Sequence, residues 1–197
     1  MKITDIFETF QTNNDSTFLK NKDSEKVGYG AFSDVFLSKE PEQTVIKQVR
    51  TTIDMGFDYW VKSLVKDRLR QKNPTFPRFF NIKTENGVVI DAEMEKLFPI
   101  IDLSQEHTEQ LYQYVFEKDI IDVYKIRYYL VDSIDEEIRY GISKIKNSNI
   151  KSACKIIQKL YQARESKNDL VLDLGLQNMM ARIYKYGVQL VITDPFA

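Results

Sequence analysis

The sequence predicts an α+β protein, β-rich at first and helical after, on three observations. Across 26–49 the residues Val27, Phe32, Val35, Phe36, Val45, Ile46 and Val49 are β-branched or aromatic, punctuated by Gly28, Gly30 and the turn-forming Lys39-Glu40-Pro41-Glu42. The stretches 79–82 and 88–92 flank Glu85-Asn86-Gly87, and Asn-Gly is the strongest short hairpin signal. Beyond Pro99 the apolar residues take helical spacing; Ala153, Cys154, Ile157, Leu160 and Tyr161 follow Ile150 by three, four, seven, ten and eleven positions.

In chain order, residues 1–24 read as a short N-terminal helix and a polar, turn-rich linker. Three short antiparallel strands follow over 26–49. Residues 55–70 form a helix whose apolar stripe is Phe57, Trp60, Val61, Leu64, Val65 and Leu69, and Asn73-Pro74 closes it because the residue before proline leaves the α region. The Asn-Gly hairpin brings the first unit, 25–98, to five strands and one helix. The second unit, 99–197, holds helices through Leu111, Val115, Ile120, Ile121, Val123, Tyr124, Tyr128 and Leu130, then the helix at 150–161. It ends in a loop and a second hairpin: 179–184, a turn at Tyr186-Gly187, then 189–193.

Composition narrows the function. Of 197 residues 43% are hydrophobic and 29% charged, as in a globular chain. Lys plus Arg number 28 against 29 for Asp plus Glu, so nothing favours electrostatic binding of nucleic acid. One cysteine, Cys154, and one histidine, His107, exclude an internal disulfide, the usual zinc sites and a histidine-assisted nucleophile. His107 sits in a very polar run and reads as a solvated residue, and Cys154 as a small core residue. No signal-length or membrane-length apolar stretch occurs, which places the chain in a reducing cytoplasm.

Three stretches could carry chemistry. Gly28 and Gly30, between strands, would let backbone N–H groups approach phosphates; an ordinary glycine hairpin is the plainer reading. Lys47, in Val45-Ile46-Lys47, is a surface lysine if taken alone. Following a glycine hairpin it is the cation that would neutralise phosphates covered by that hairpin. Asp173, Asn178 and Asp194 offer hard oxygen ligands for magnesium with one carboxylate left for a hydroxyl nucleophile, although Asn178 could simply cap a turn. Their flanks, Val171-Leu172, Met179-Met180 and Val191-Ile192, are apolar, and buried strands seldom present polar residues without a task.

Gly28-Tyr29-Gly30-Ala31-Phe32-Ser33, Val45-Ile46-Lys47, Asp173-x-x-x-x-Asn178 and Ile192-Thr193-Asp194-Pro195 together resemble the protein-kinase-like fold. They are most similar to the early serine/threonine kinases of podovirus-type bacteriophages, which also carry Asn-Pro-x-Phe-Pro, here 73–77. The resemblance implies a bilobal fold with a five-stranded antiparallel N-lobe and a truncated helical C-lobe bearing the catalytic loop and a metal-binding hairpin. It implies Gly28 and Gly30 over the ATP phosphates, Lys47 on the α- and β-phosphates, and Glu95 opening a hinge, 95–98, that reads adenine. Asp173 would orient the acceptor hydroxyl, and Asn178 and Asp194 would hold Mg²⁺. The implied activity is transfer of the ATP γ-phosphate to Ser/Thr of host proteins in the bacterial cytoplasm, with neither nucleic acid nor membrane as partner.

The sequence departs from that pattern in four places. The helix at 55–70 lacks a glutamate, and Asp58 is the acid at hand to pair with Lys47. Val171-Leu172 replaces His-Arg before the aspartate, Gly175 replaces a lysine, and the chain runs only three residues past Asp194. These departures motivate an alternative, a catalytically degenerate kinase fold that binds and inhibits a host protein. A small-molecule kinase is a third reading. Apolar surface where later kinase helices pack would drive a homodimer.

Overall fold

The computed structural model describes residues 25–29, 32–38, 44–50, 54–67, 72–115, 145–163 and 170–197. The helix and linker expected over 1–24, Gly30, and the helical expectation over 116–144 lie outside them. The described residues form a mixed α+β structure in two compact units, Met1–Lys62 with Arg78–Lys96, and Ser63–Pro77 with Leu97–Ala197.

In the first unit β1 (Lys26–Tyr29), β2 (Ser33–Leu37), β3 (Thr44–Val49), β4 (Phe79–Glu85) and β5 (Val88–Glu95) make one antiparallel sheet in the order β1-β2-β3-β5-β4. The Asn-Gly expectation holds. Asn86 and Gly87 have φ of 50° and 78°, the left-handed pair that a tight hairpin turn needs.

Helix α1 (Met55–Lys66) starts where the periodicity places it and is described as far as Asp67. Asp54 is its N-cap, with Oδ1 accepting the Phe57 N–H at 3.0 Å. Phe57, Trp60, Val61, Leu64 and Val65 are all buried, as a stripe at helical spacing requires. Asp58 Oδ1 accepts the Val89 N–H at 2.8 Å, and the Phe57 ring meets Phe79 edge-on at 6.4 Å, which seats the helix start on β4 and β5.

The second unit holds β6 (Phe98–Pro99), β7 (Met179–Tyr184) and β8 (Gly187–Ile192), a three-stranded antiparallel sheet in that order. The turn between β7 and β8 is Lys185-Tyr186, one residue earlier than the sequence suggests, so Arg182 faces Gln189. Helix α2 (Gln105–Val115) buries Leu111, Tyr112 and Val115 and is capped by Ser104, whose Oγ accepts the His107 N–H. Helix α3 (Ser148–Ala163) buries Ile150, Ala153, Cys154, Ile157 and Leu160. Cys154 is fully buried, and burial pushes its thiol up to about 12. Among the described residues no helix is long and apolar enough to cross a membrane.

Candidate functional site

In the first unit the site residues are placed by sheet register. Lys47 of β3 stands opposite Val35 of β2 and Ala92 of β5, and Val35 stands opposite Gly28 of β1. Directly opposed residues share a face, so Gly28, Val35, Lys47 and Ala92 form one row across the sheet. A Cβ added at Gly28 would meet Val35 at 3.5 Å, an ordinary contact, so the strand itself does not demand glycine there.

Lys47 is not a surface lysine; its side chain is 14% exposed. The ammonium lies 3.5 Å from Asp54 Oδ2 and 3.7 Å above the Phe57 ring centroid. A half-buried cation is tolerated where an anion and a π face replace part of its hydration. The acid beside Lys47 is therefore Asp54, not Asp58. Asp58 spends its carboxylate on Lys62 at 2.7 Å, one helical turn on, and on the Val89 N–H.

Glu95 ends β5, three positions past Ala92 and thus on the opposite face from Lys47. Its carboxylate accepts the Arg78 N–H at 2.8 Å, and its own N–H donates to the Arg78 carbonyl at 3.0 Å. Lys96 and Leu97, between β5 and β6, stand outside both sheets.

In the second unit Asp173 and Asn178 are joined directly. Asn178 Nδ2 donates to the Asp173 carboxylate Oδ2 and to its carbonyl, both at 2.9 Å. Two oxygens facing one amide atom identify that atom as nitrogen, which turns Asn178 Oδ1 away from Asp173. The other Asp173 oxygen accepts longer bonds from the Gly175 N–H, 3.3 Å, and Gln177 Nε2, 3.4 Å.

Backbone hydrogen bonds then place Asp194. Thr193 N–H donates to the Asn178 carbonyl and Asp173 N–H to the Pro195 carbonyl, each at 2.9 Å, so both neighbours of Asp194 are fastened to the 173–178 loop. Thr193 Oγ1 adds a bond to the Asn178 carbonyl at 3.1 Å, and Val171 and Ala197 exchange two more. Asp194 itself is buried.

Among the described residues no three His, Cys, Asp or Glu side chains gather as a metal cluster. The set here is two carboxylates and a carboxamide, hard oxygen donors of the kind magnesium takes alongside substrate phosphates and water. That chemistry fits Mg²⁺ and would not suit a soft metal.

No protein-family model and no curated protein matches the chain.

Two residues of this arrangement escape the motifs. Asp54 carries a sequence signal, an acid immediately before a helix start. Arg182 carries none: its guanidinium donates to the carbonyls of Pro74, at 2.6 Å, and Phe76, at 3.2 Å, and to Gln189 Oε1.

Proposed function

We propose that the chain is a protein-kinase-like phosphotransferase, akin to those of podovirus-type phages, that moves the γ-phosphate of Mg-ATP to a Ser/Thr hydroxyl of a host protein. The observation that supports the reading is the loop in which Asn178 bonds Asp173 and to which both chain neighbours of Asp194 are fastened. Of the three, Asp194 is buried, two residues past buried Ile192, and a buried carboxylate is costly unless it is paired or serves a task.

On this reading Asn178 and Asp194 hold Mg²⁺, which neutralises charge on the phosphates. Asp173 orients the acceptor hydroxyl and receives its proton as the new P–O bond forms and the bond to the ADP oxygen breaks. Lys47 meets the phosphates from the first unit, and Gly28 lets backbone approach them without an intervening side chain. Lys96 and Leu97 offer the backbone that reads adenine. The setting is the host bacterial cytoplasm.

One observation favours a second reading, a kinase-shaped protein that binds and inhibits its host target. Both carboxylate oxygens of Asp173 already accept hydrogen bonds within the loop. One experiment separates the two. Labelled γ-phosphate is offered with magnesium to wild type, Asp173→Ala and Asp194→Ala, alone and in bacterial lysate. Phosphotransfer predicts label with wild type and a loss of about 10²–10⁴-fold in each variant. No label, with no ATP-dependent rise in melting temperature, sinks the enzyme reading and leaves the binding protein.

A further inference from the structure

We propose that Gln177 governs the acceptor's access to Asp173: its carboxamide lies in a niche that Gly175 leaves open, covers Oδ1 of Asp173, and gives way to the acceptor hydroxyl. The functional consequence rests on the phosphotransferase reading; the placing of Gln177 over Gly175 does not.

The donors on the Asp173 carboxylate are unequal. Asn178 holds Oδ2 and the main-chain carbonyl at 2.9 Å each, and the Asn178 N–H bonds the Gly175 carbonyl at 2.9 Å. That side of the carboxylate is built into the backbone of the loop. Oδ1 accepts the Gly175 N–H at 3.3 Å and Gln177 Nε2 at 3.4 Å. Of these two the Gly175 N–H is fixed by the chain, whereas Gln177 is exposed and reaches Asp173 on a flexible arm. A long hydrogen bond in contact with water is weak, and holding the arm in one rotamer costs entropy. Gln177 is therefore the donor that an incoming hydroxyl replaces: one N–H···O bond is given up, and one O–H···O bond to the same oxygen is made.

Gly175 makes the niche. A Cβ built on it would collide with Cδ, Oε1 and Nε2 of Gln177, so the carboxamide fills the space that a side chain at 175 would take. The glycine is not needed for its backbone, since φ of −64° and ψ of 158° are open to other residues. Alanine at 175 therefore keeps the loop and displaces only the far end of Gln177, which swings out to another rotamer. Gly175→Ala and Gln177→Ala, two substitutions at different residues, should uncover the same oxygen.

The full chain, isotope-labelled for NMR, is made as wild type, Gly175→Ala, Gln177→Ala, their double variant and Asp173→Asn. The side-chain amide signal of Gln177 is the one missing from Gln177→Ala. In wild type it is expected away from the position of a free glutamine, and Gly175→Ala and Asp173→Asn should each move it there. Transfer is read with labelled ATP, magnesium and dephosphorylated casein as the acceptor probe.

Gly175→Ala and Gln177→Ala are each expected to lower KM for casein about two- to fivefold, with the double variant no lower than either alone. A contact that only braces the loop would leave that KM unchanged or raise it. Either result overturns the proposal, as do additive effects in the double variant. A wild type that neither binds ATP nor transfers phosphate sinks the phosphotransferase reading instead. Where casein takes no label, the amide signal decides alone: a shift on Gly175→Ala sustains the cover over Asp173, and a wild-type signal already at the free position ends it.

Discussion

The two units hold their functional groups by different means. In the first, charged side chains hold one another: Lys47 with Asp54, Lys62 with Asp58, and Lys26 with Asp34 at 2.8 Å. In the second, the backbone does the holding. Asp173 bonds Pro195, Thr193 bonds Asn178, and Ile192 bonds Thr75, each through an N–H to a carbonyl at 2.8–2.9 Å. Side-chain length explains the contrast. A lysine head lies far from its own backbone and needs another side chain to steady it, whereas a carboxylate or carboxamide on a short arm goes where its backbone goes. Substitutions in the first unit should therefore disturb a site without unfolding it. In the second unit, loss of a framework residue should cost stability before it costs chemistry.

Arg182→Ala tests the second half of that contrast and carries the largest expected loss of stability. Its guanidinium and the Ile192 N–H together occupy three successive carbonyls, of Pro74, Thr75 and Phe76. Gln189, which also accepts from Arg182, passes the link to the Tyr114 hydroxyl at 2.8 Å. Removing a charged donor from two carbonyls and a carboxamide is expected to cost about 2–4 kcal/mol. That corresponds to a fall of about 5–10 °C in melting temperature. Arg182→Lys keeps the charge but not the planar fork, and about half the loss should remain. A calorimetric melt of Arg182→Ala within about 1 °C of wild type would break the comparison.

Local chemistry made much of the fold legible. The Asn-Gly turn, the apolar stripe of α1 and the step pattern of α3 are each fixed by residues close in sequence, and each is where the spacing puts it. What was not legible depends on register or on contacts between distant residues. A turn at Tyr186-Gly187 would set Arg182 opposite Val191; the observed turn, one residue earlier, sets it opposite Gln189 and creates the clamp on 74–76. Among the site residues, the Asp173–Asn178 pair is local and could be read. The sequence points to Asp58, inside the helix, as the acid nearest Lys47, yet the acid beside it is Asp54, one residue before the helix. A cap faces back over the helix start, where β3 supplies the lysine, whereas Asp58 turns to β5 and Lys62.

Asp91 probes the first unit's reliance on charged groups with a smaller, pH-dependent effect. It lies on β5, 2% exposed, opposite Gln48 of β3 and Lys83 of β4. Burial raises its carboxyl above the ordinary value of 3.8, and the Lys83 charge and a Gln48 hydrogen bond offset this only in part. A carboxyl harder to ionise when folded costs stability once it is ionised. That cost is absent below 3.8 and complete above the raised folded value. Asp91→Asn should therefore melt about 2–4 °C above wild type at pH 7, with the gap closing as the pH falls toward 3.8. Melting curves from pH 7 down to 4 would read it directly. A variant less stable than wild type at pH 7 would mean that Lys83 and Gln48 outweigh burial. The carboxylate of Asp91 would then join the paired charges that hold the first unit, rather than standing as the one that strains it.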